Sequence, residues 1–153
     1  MKIQSVLKSI IGASLVLASV PAIAAPASVD LSIADRPGTS TSMNIRVFNE
    51  NPTVGASAYG VTVTVKPIVG AVTQLSAPSN CVRGGNGSFI CNLNRVDGQY
   101  AKFLNFGLTL SPTACSLVRN GQIKVATASV TSKNPESNSA NNSTNVYIPA
   151  SCN

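Results

Sequence analysis

Gly60-Val61-Thr62-Val63-Thr64-Val65-Lys66-Pro67 sets three valines against two threonines and a lysine in alternation, and proline ends the run. Period two sends successive side chains to opposite faces, so the stretch reads as a half-buried β-strand with Val61, Val63 and Val65 turned inward. The rule extends in both directions. Upstream, Val29, Leu31 and Ile33 alternate with polar or small neighbours until Asp35-Arg36-Pro37-Gly38, where turn residues predict the strand's end; Met43, Ile45 and Val47 then alternate with Asn44 and Arg46. Downstream, residues 71–75 predict a weaker strand, and Phe89, Cys91 and Leu93 alternate up to the Asp97-Gly98 turn. Tyr100 leads into Leu104, Phe106, Leu108 and Leu110, stopped by Ser111-Pro112. Ile123 and Val125 open a strand whose inward phase moves to Ala126, Ala128 and Val130, as a β-bulge produces. Thr144, Val146 and Ile148 make the last strand, closed by Pro149. No segment after residue 24 shows a 3.6-residue apolar period. About seven or eight short strands at near-regular spacing predict an all-β chain, an antiparallel β-sandwich.

Residues 1–24 carry Lys2 and Lys8, an apolar stretch over 10–20, and Ala22-Ile23-Ala24, the small-x-small pattern of a cleavage site. They are expected to be an export signal cut before Ala25. The stretch is shorter than the roughly 20 apolar residues of a membrane span, and no Leu-x-x-Cys lipobox or second apolar run follows. The expected product is one domain, residues 25–153, in the periplasm of a Gram-negative bacterium or secreted from it. An even number of cysteines in an oxidising compartment reads as disulfides. The turn-rich Gly84-Gly85-Asn86-Gly87 between Cys81 and Cys91 favours a local bridge across a hairpin, which leaves Cys115 to pair with Cys152. Zinc is the rival reading, but the chain has no Cys-x-x-Cys spacing and no histidine.

Eleven Lys and Arg stand against five acids, a net +6 that falls to +4 without Lys2 and Lys8. The cations are scattered and no aromatics interleave with them, so a nucleic-acid surface is not expected. The absence of histidine removes the commonest general base, and no Ser-Lys motif replaces it. Asp30, Asp35, Glu50, Asp97 and Glu136 fall at strand ends, turns and polar loops rather than forming a glycosidase-type pair. The Asn/Ser tract 132–145 has one carboxylate, Glu136, and reads as a hydrogen-bonded turn rather than a calcium loop. No catalytic residue, cofactor or metal site is expected, and the chain is read as non-enzymatic.

The segments Asp30-Leu31-Ser32-Ile33, Asn44 through Asn51, Gly60 through Val65, and Ile123 through Ser143 follow one another in an order similar to a known class. The chain resembles the bacterial immunoglobulin-like repeats of the conserved-repeat and cell-adhesion-related (CARDB-like) families. In those modules a cysteine pair can flank a short central hairpin, and an "A-x-V-x-S … N-x-x-N-N" segment precedes the last strand. Ala128-Ser129-Val130-Thr131-Ser132 and Asn138-Ser139-Ala140-Asn141-Asn142 fill that pattern. It departs from the class in being a single short domain and in the Cys115 and Cys152 pair. The resemblance implies an immunoglobulin-like sandwich acting as a binding or adhesion module, with a protein or surface glycan as partner. The alternatives are a self-assembling envelope subunit and a secreted enzyme inhibitor. Partner-binding candidates are Arg83 and Asn86 on the hairpin tip, and Tyr59 and Val63 on the uncharged strand that precedes Lys66. That strand invites pairing with another chain if it lies at a sheet edge, and offers nothing if it is central.

Overall fold

The computed structural model describes residues 28–53 and 55–152, so the expected signal segment lies outside the described residues. The chain is an all-β sandwich of two antiparallel sheets, stapled by Cys81–Cys91 and Cys115–Cys152. Nine strands are formed among the described residues: β1 (Leu31–Thr39), β2 (Ser42–Asn49), β3 (Ala58–Pro67), β4 (Val72–Ser76), β5 (Cys81–Arg83), β6 (Phe89–Val96), β7 (Ala101–Leu110), β8 (Gln122–Thr131) and β9 (Ser143–Pro149). The first sheet runs β1-β2-β7-β4 and the second β5-β6-β3-β8-β9. Inward residues of both sheets make one core; Met43, Ile45, Val47, Val61, Val63, Val65, Leu104 and Phe106 are all buried. Phe89 and Phe106 meet edge to face across it, with ring centroids 6.1 Å apart. Among the described residues no helix is long and apolar enough to cross a membrane.

Three sequence expectations need correction. Asp35-Arg36-Pro37-Gly38 does not end its strand: β1 runs on to Thr39, and the chain turns at Ser40-Thr41. β1 is an edge strand, so the missing Pro37 N–H interrupts no ladder, and a register shift between Arg36 and Thr39 absorbs the irregularity. Glycine is required at 38 because a Cβ there would stand 2.3 Å from the Ser42 carbonyl oxygen. Second, nine strands replace the expected seven or eight; β5, only three residues long, is too short to show an alternation. Third, β3 pairs with β6 on one side and β8 on the other, so it is central. Val63 is fully buried there and has no edge to offer. The bulge expected in the 123–130 strand is present, as a register shift between Lys124 and Ala126.

Candidate interaction surface

The two flanks of the sandwich are finished differently. On one, the edge strands β1 and β9 meet, and side chains occupy their outer backbone groups. The Tyr147 N–H donates to Asp35 Oδ2 at 2.9 Å, and the Leu31 N–H donates to Glu136 Oε1 at 2.8 Å. Asn141 Nδ2 donates to Asp30 Oδ1 at 2.9 Å, and the Val29 N–H to the Pro135 carbonyl at 2.9 Å. Burial pushes the Asp35 carboxyl above its ordinary pKa against the pull of the Tyr147 and Arg36 N–H groups. Burial raises Glu136 likewise, with Asp30 adding repulsion, against hydrogen bonds from Leu31 and Asn142. Carboxylates thus cap this flank at Leu31 and Tyr147.

The opposite flank is open because its strands differ in length. β7 has ten residues and β4 only five, and β4 pairs only with the 107–110 part of β7. After Ser76 the chain leaves the first sheet and crosses at 77–80 to β5 in the second. Among the described residues, the first half of β7 therefore has no strand neighbour on that side. Its polarity follows from the ladder: the Leu108 N–H donates toward β2, to the Thr41 carbonyl, and the Tyr100 carbonyl accepts from the Asn49 N–H. Antiparallel pairing alternates, so even-numbered residues of β7 face β2, whereas the N–H and C=O groups of Ala101, Phe103 and Asn105 face the open side. Among the described residues, the sheet leaves these groups unpaired.

Lys102 marks the mouth of this flank. It sits on the inward phase of β7, opposite buried Val47, but its Nζ reaches across the gap between sheets to the Leu93 carbonyl of β6 at 3.1 Å. Its stem covers the end of the core while the ammonium stays wet. Asn80 closes the facing edge of β6: its carbonyl accepts from the Asn92 N–H at 2.9 Å, and its Nδ2 donates to the Asn92 carbonyl. Between them runs a groove of about 540 Å³ lined by Asn80, Asn92, Leu93, Asn94, Lys102 and Phe103, with Ala101 at its end. It continues past Ala101 into a smaller hollow beside Arg95, Asp97 and Tyr100. Phe103 is 56% and Tyr100 66% exposed, and Phe103 pairs across strands with Arg46.

A hydrogen-bonded corner holds the end of this flank rigid. Asn49, fully buried, donates from Nδ2 to the carbonyls of Ala56 and Val96, and its Oδ1 accepts from the Asn51 N–H. Gln99, at φ 64°, bridges back to the carbonyls of Glu50 and Asn51. Asp97 accepts from the Ser57 hydroxyl at 2.6 Å and pairs with Arg95. The Ser57 hydrogen bond, then the Arg95 guanidinium, hold its carboxyl below the ordinary value. Glu50, the remaining acid, accepts from the Ser32 hydroxyl. Each of the five carboxylates is thus engaged in holding the fold, and among the described residues no group of three or more Cys, Asp or Glu could hold a metal.

The residues singled out from sequence do not gather in one place. Arg83 and Asn86 share the hairpin pinned by Cys81–Cys91; Arg83 Cζ lies 5.2 Å from the Phe89 ring, and Asn86 occupies the tip at φ 56°. Tyr59, half exposed, carries Arg95 over its ring at 5.6 Å. It lies at the other end of β6, roughly 20 Å away for six residues of strand. Val63 is inside. Sequence reading passed over Lys102, Phe103 and Asn105. The available signal was a large aromatic and a cation both out of phase in an alternating run.

No protein-family model matches the chain, and no curated protein matches it. Among solved structures, a cohesin module from a family 33 glycoside hydrolase of Clostridium perfringens is similar over 80% of this chain and 97% of its own. The identity is 12% and the TM-score 0.36.

Proposed function

We propose that this chain is an exported, non-catalytic binding module of the immunoglobulin-like, CARDB-like kind. It engages a protein partner through its open flank, and the disulfide-pinned hairpin supplies a second contact. The observation that carries this reading is the asymmetry of the two flanks: one is capped by its own carboxylates, whereas the other leaves strand backbone and two aromatic rings in water. Unpaired edges are normally blunted, so an edge left bare beside Phe103 and Tyr100 is a surface with a use. The carboxylates, the groups that could carry acid/base chemistry in a chain without histidine, are spent on the fold. Export is supported by the leader pattern and by two disulfides, which persist in oxidising compartments.

The test is affinity capture from a bacterial envelope extract with the oxidised protein and two variants, Phe103→Glu on the open flank and Thr64→Glu on the outer face of the second sheet. Loss of the same partner with Phe103→Glu but not with Thr64→Glu is the expected result. Equal capture by both variants would overturn the reading. A self-assembling subunit is the second reading, favoured by β4, whose five residues carry no charge. Light scattering across a concentration series separates it, since only self-assembly makes the mass rise with concentration.

A further inference from the structure

We propose that the uncovered half of β7 is a docking edge for an extended acidic segment of a partner protein, which adds as a short antiparallel strand opposite residues 101–105. The inference deepens the reading above and rests on it. Three observations specify the occupant. The bare N–H and C=O groups of Ala101, Phe103 and Asn105 present the alternating donor and acceptor row that an incoming backbone satisfies. The end of β4 at Ser76 limits the added strand to about five residues, because β4 already occupies positions 107–110.

The third observation is charge. Lys102 stands at the edge itself, Arg46 flanks Phe103 from β2, and Arg95 with its ion-pair partner Asp97 lies in the adjoining hollow. A second copy of this chain would bring the same cations across the interface, so self-pairing here is opposed. An acidic segment is attracted. Strand periodicity then assigns its side chains. The residue opposite Phe103 shares the outer face with that ring and should be apolar. Its two neighbours turn into the groove toward Lys102, Asn92 and Asn94, where carboxylates fit. Lys102 has three N–H donors and spends one on Leu93, so it can hold a carboxylate without releasing the carbonyl.

The probe is the capped peptide Thr-Glu-Val-Glu-Thr, read by amide hydrogen exchange on the whole oxidised protein, with Thr-Glu-Pro-Glu-Thr as a control of equal charge. The expected result is about tenfold slower exchange at Ala101, Phe103 and Asn105, with Lys102 and Leu104 unchanged because β2 already protects them. Phe103→Pro removes an outward N–H without touching the β2 ladder and should abolish the effect. Should that variant fail to fold, Lys102→Glu tests the same edge and should weaken binding about tenfold. Equal binding of both peptides, or protection at other residues, would overturn strand addition. No binding of either peptide, with the Phe103→Glu capture defect still present, would sink this inference and leave the binding-module reading standing.

Discussion

Asn49 illustrates how one side chain decides a local structure. Its amide hydrogens serve two carbonyls that lie 7 and 47 residues away, and it is wholly enclosed. Asn49→Ala would leave both carbonyls buried and unpaired, so urea unfolding should show a loss of about 2–4 kcal/mol. Asn49→Asp should do no better, because a carboxylate can donate nothing to those oxygens. Gly98 is the complementary case. A Cβ there would lie 2.6 Å from the Thr53 carbonyl oxygen, so Gly98→Ala should push the neighbouring loop off the corner and lower the melting temperature. A period-two reading cannot see either residue, since both look like ordinary turn chemistry.

At the scale of elements, edges decide what the strands can do. The β1/β9 flank is held by Asp35 and Glu136, whose carboxyls titrate above their ordinary values because burial penalises the charge. The folded state therefore binds protons more tightly than the unfolded chain there. Their contribution to stability is full below the ordinary carboxylate range and is lost as pH rises through the raised values. Asp97 acts in the opposite sense, contributing above its ordinary value and losing its effect as pH falls. A melting series should show wild type losing stability relative to an Asp35→Asn, Glu136→Gln double variant as pH rises just above the carboxylate range. A constant difference at every pH would contradict this assignment. Elsewhere, the alternation read from sequence gave the inward residues of β2, β3, β7 and β9 correctly, because burial on one face leaves its mark on every second residue. It failed at Pro37, since only position in the sheet tells whether a missing N–H matters.

For the whole molecule, the two disulfides differ in what they close. Cys81–Cys91 ties residues ten apart that already face each other across a hairpin, whereas Cys115–Cys152 spans a separation of 37 and pins the chain end to the body. On the chain-entropy account the first is worth roughly 3 kcal/mol and the second roughly 4. Guanidinium unfolding of the Cys115→Ala, Cys152→Ala variant should thus show the larger loss. A smaller loss than for Cys81→Ala, Cys91→Ala would show that the hairpin bridge carries packing as well, through buried Cys91. Val63→Lys, which would block pairing if β3 lay at an edge, would bury a charge in a central strand and should unfold the protein, as thermal melting would show.

The sequence alone determined the all-β class, the faces of most strands, the bulge in β8 and the disulfide pairs, because these follow from local alternation, turn residues and cysteine spacing. The tertiary structure alone decided which strands are edges. An edge is a relation among strands far apart in the chain: among the described residues β7 has no neighbour over residues 101–105 because β4 is short and the chain crosses to the other sheet after Ser76. No residue within β7 records the length of its neighbour.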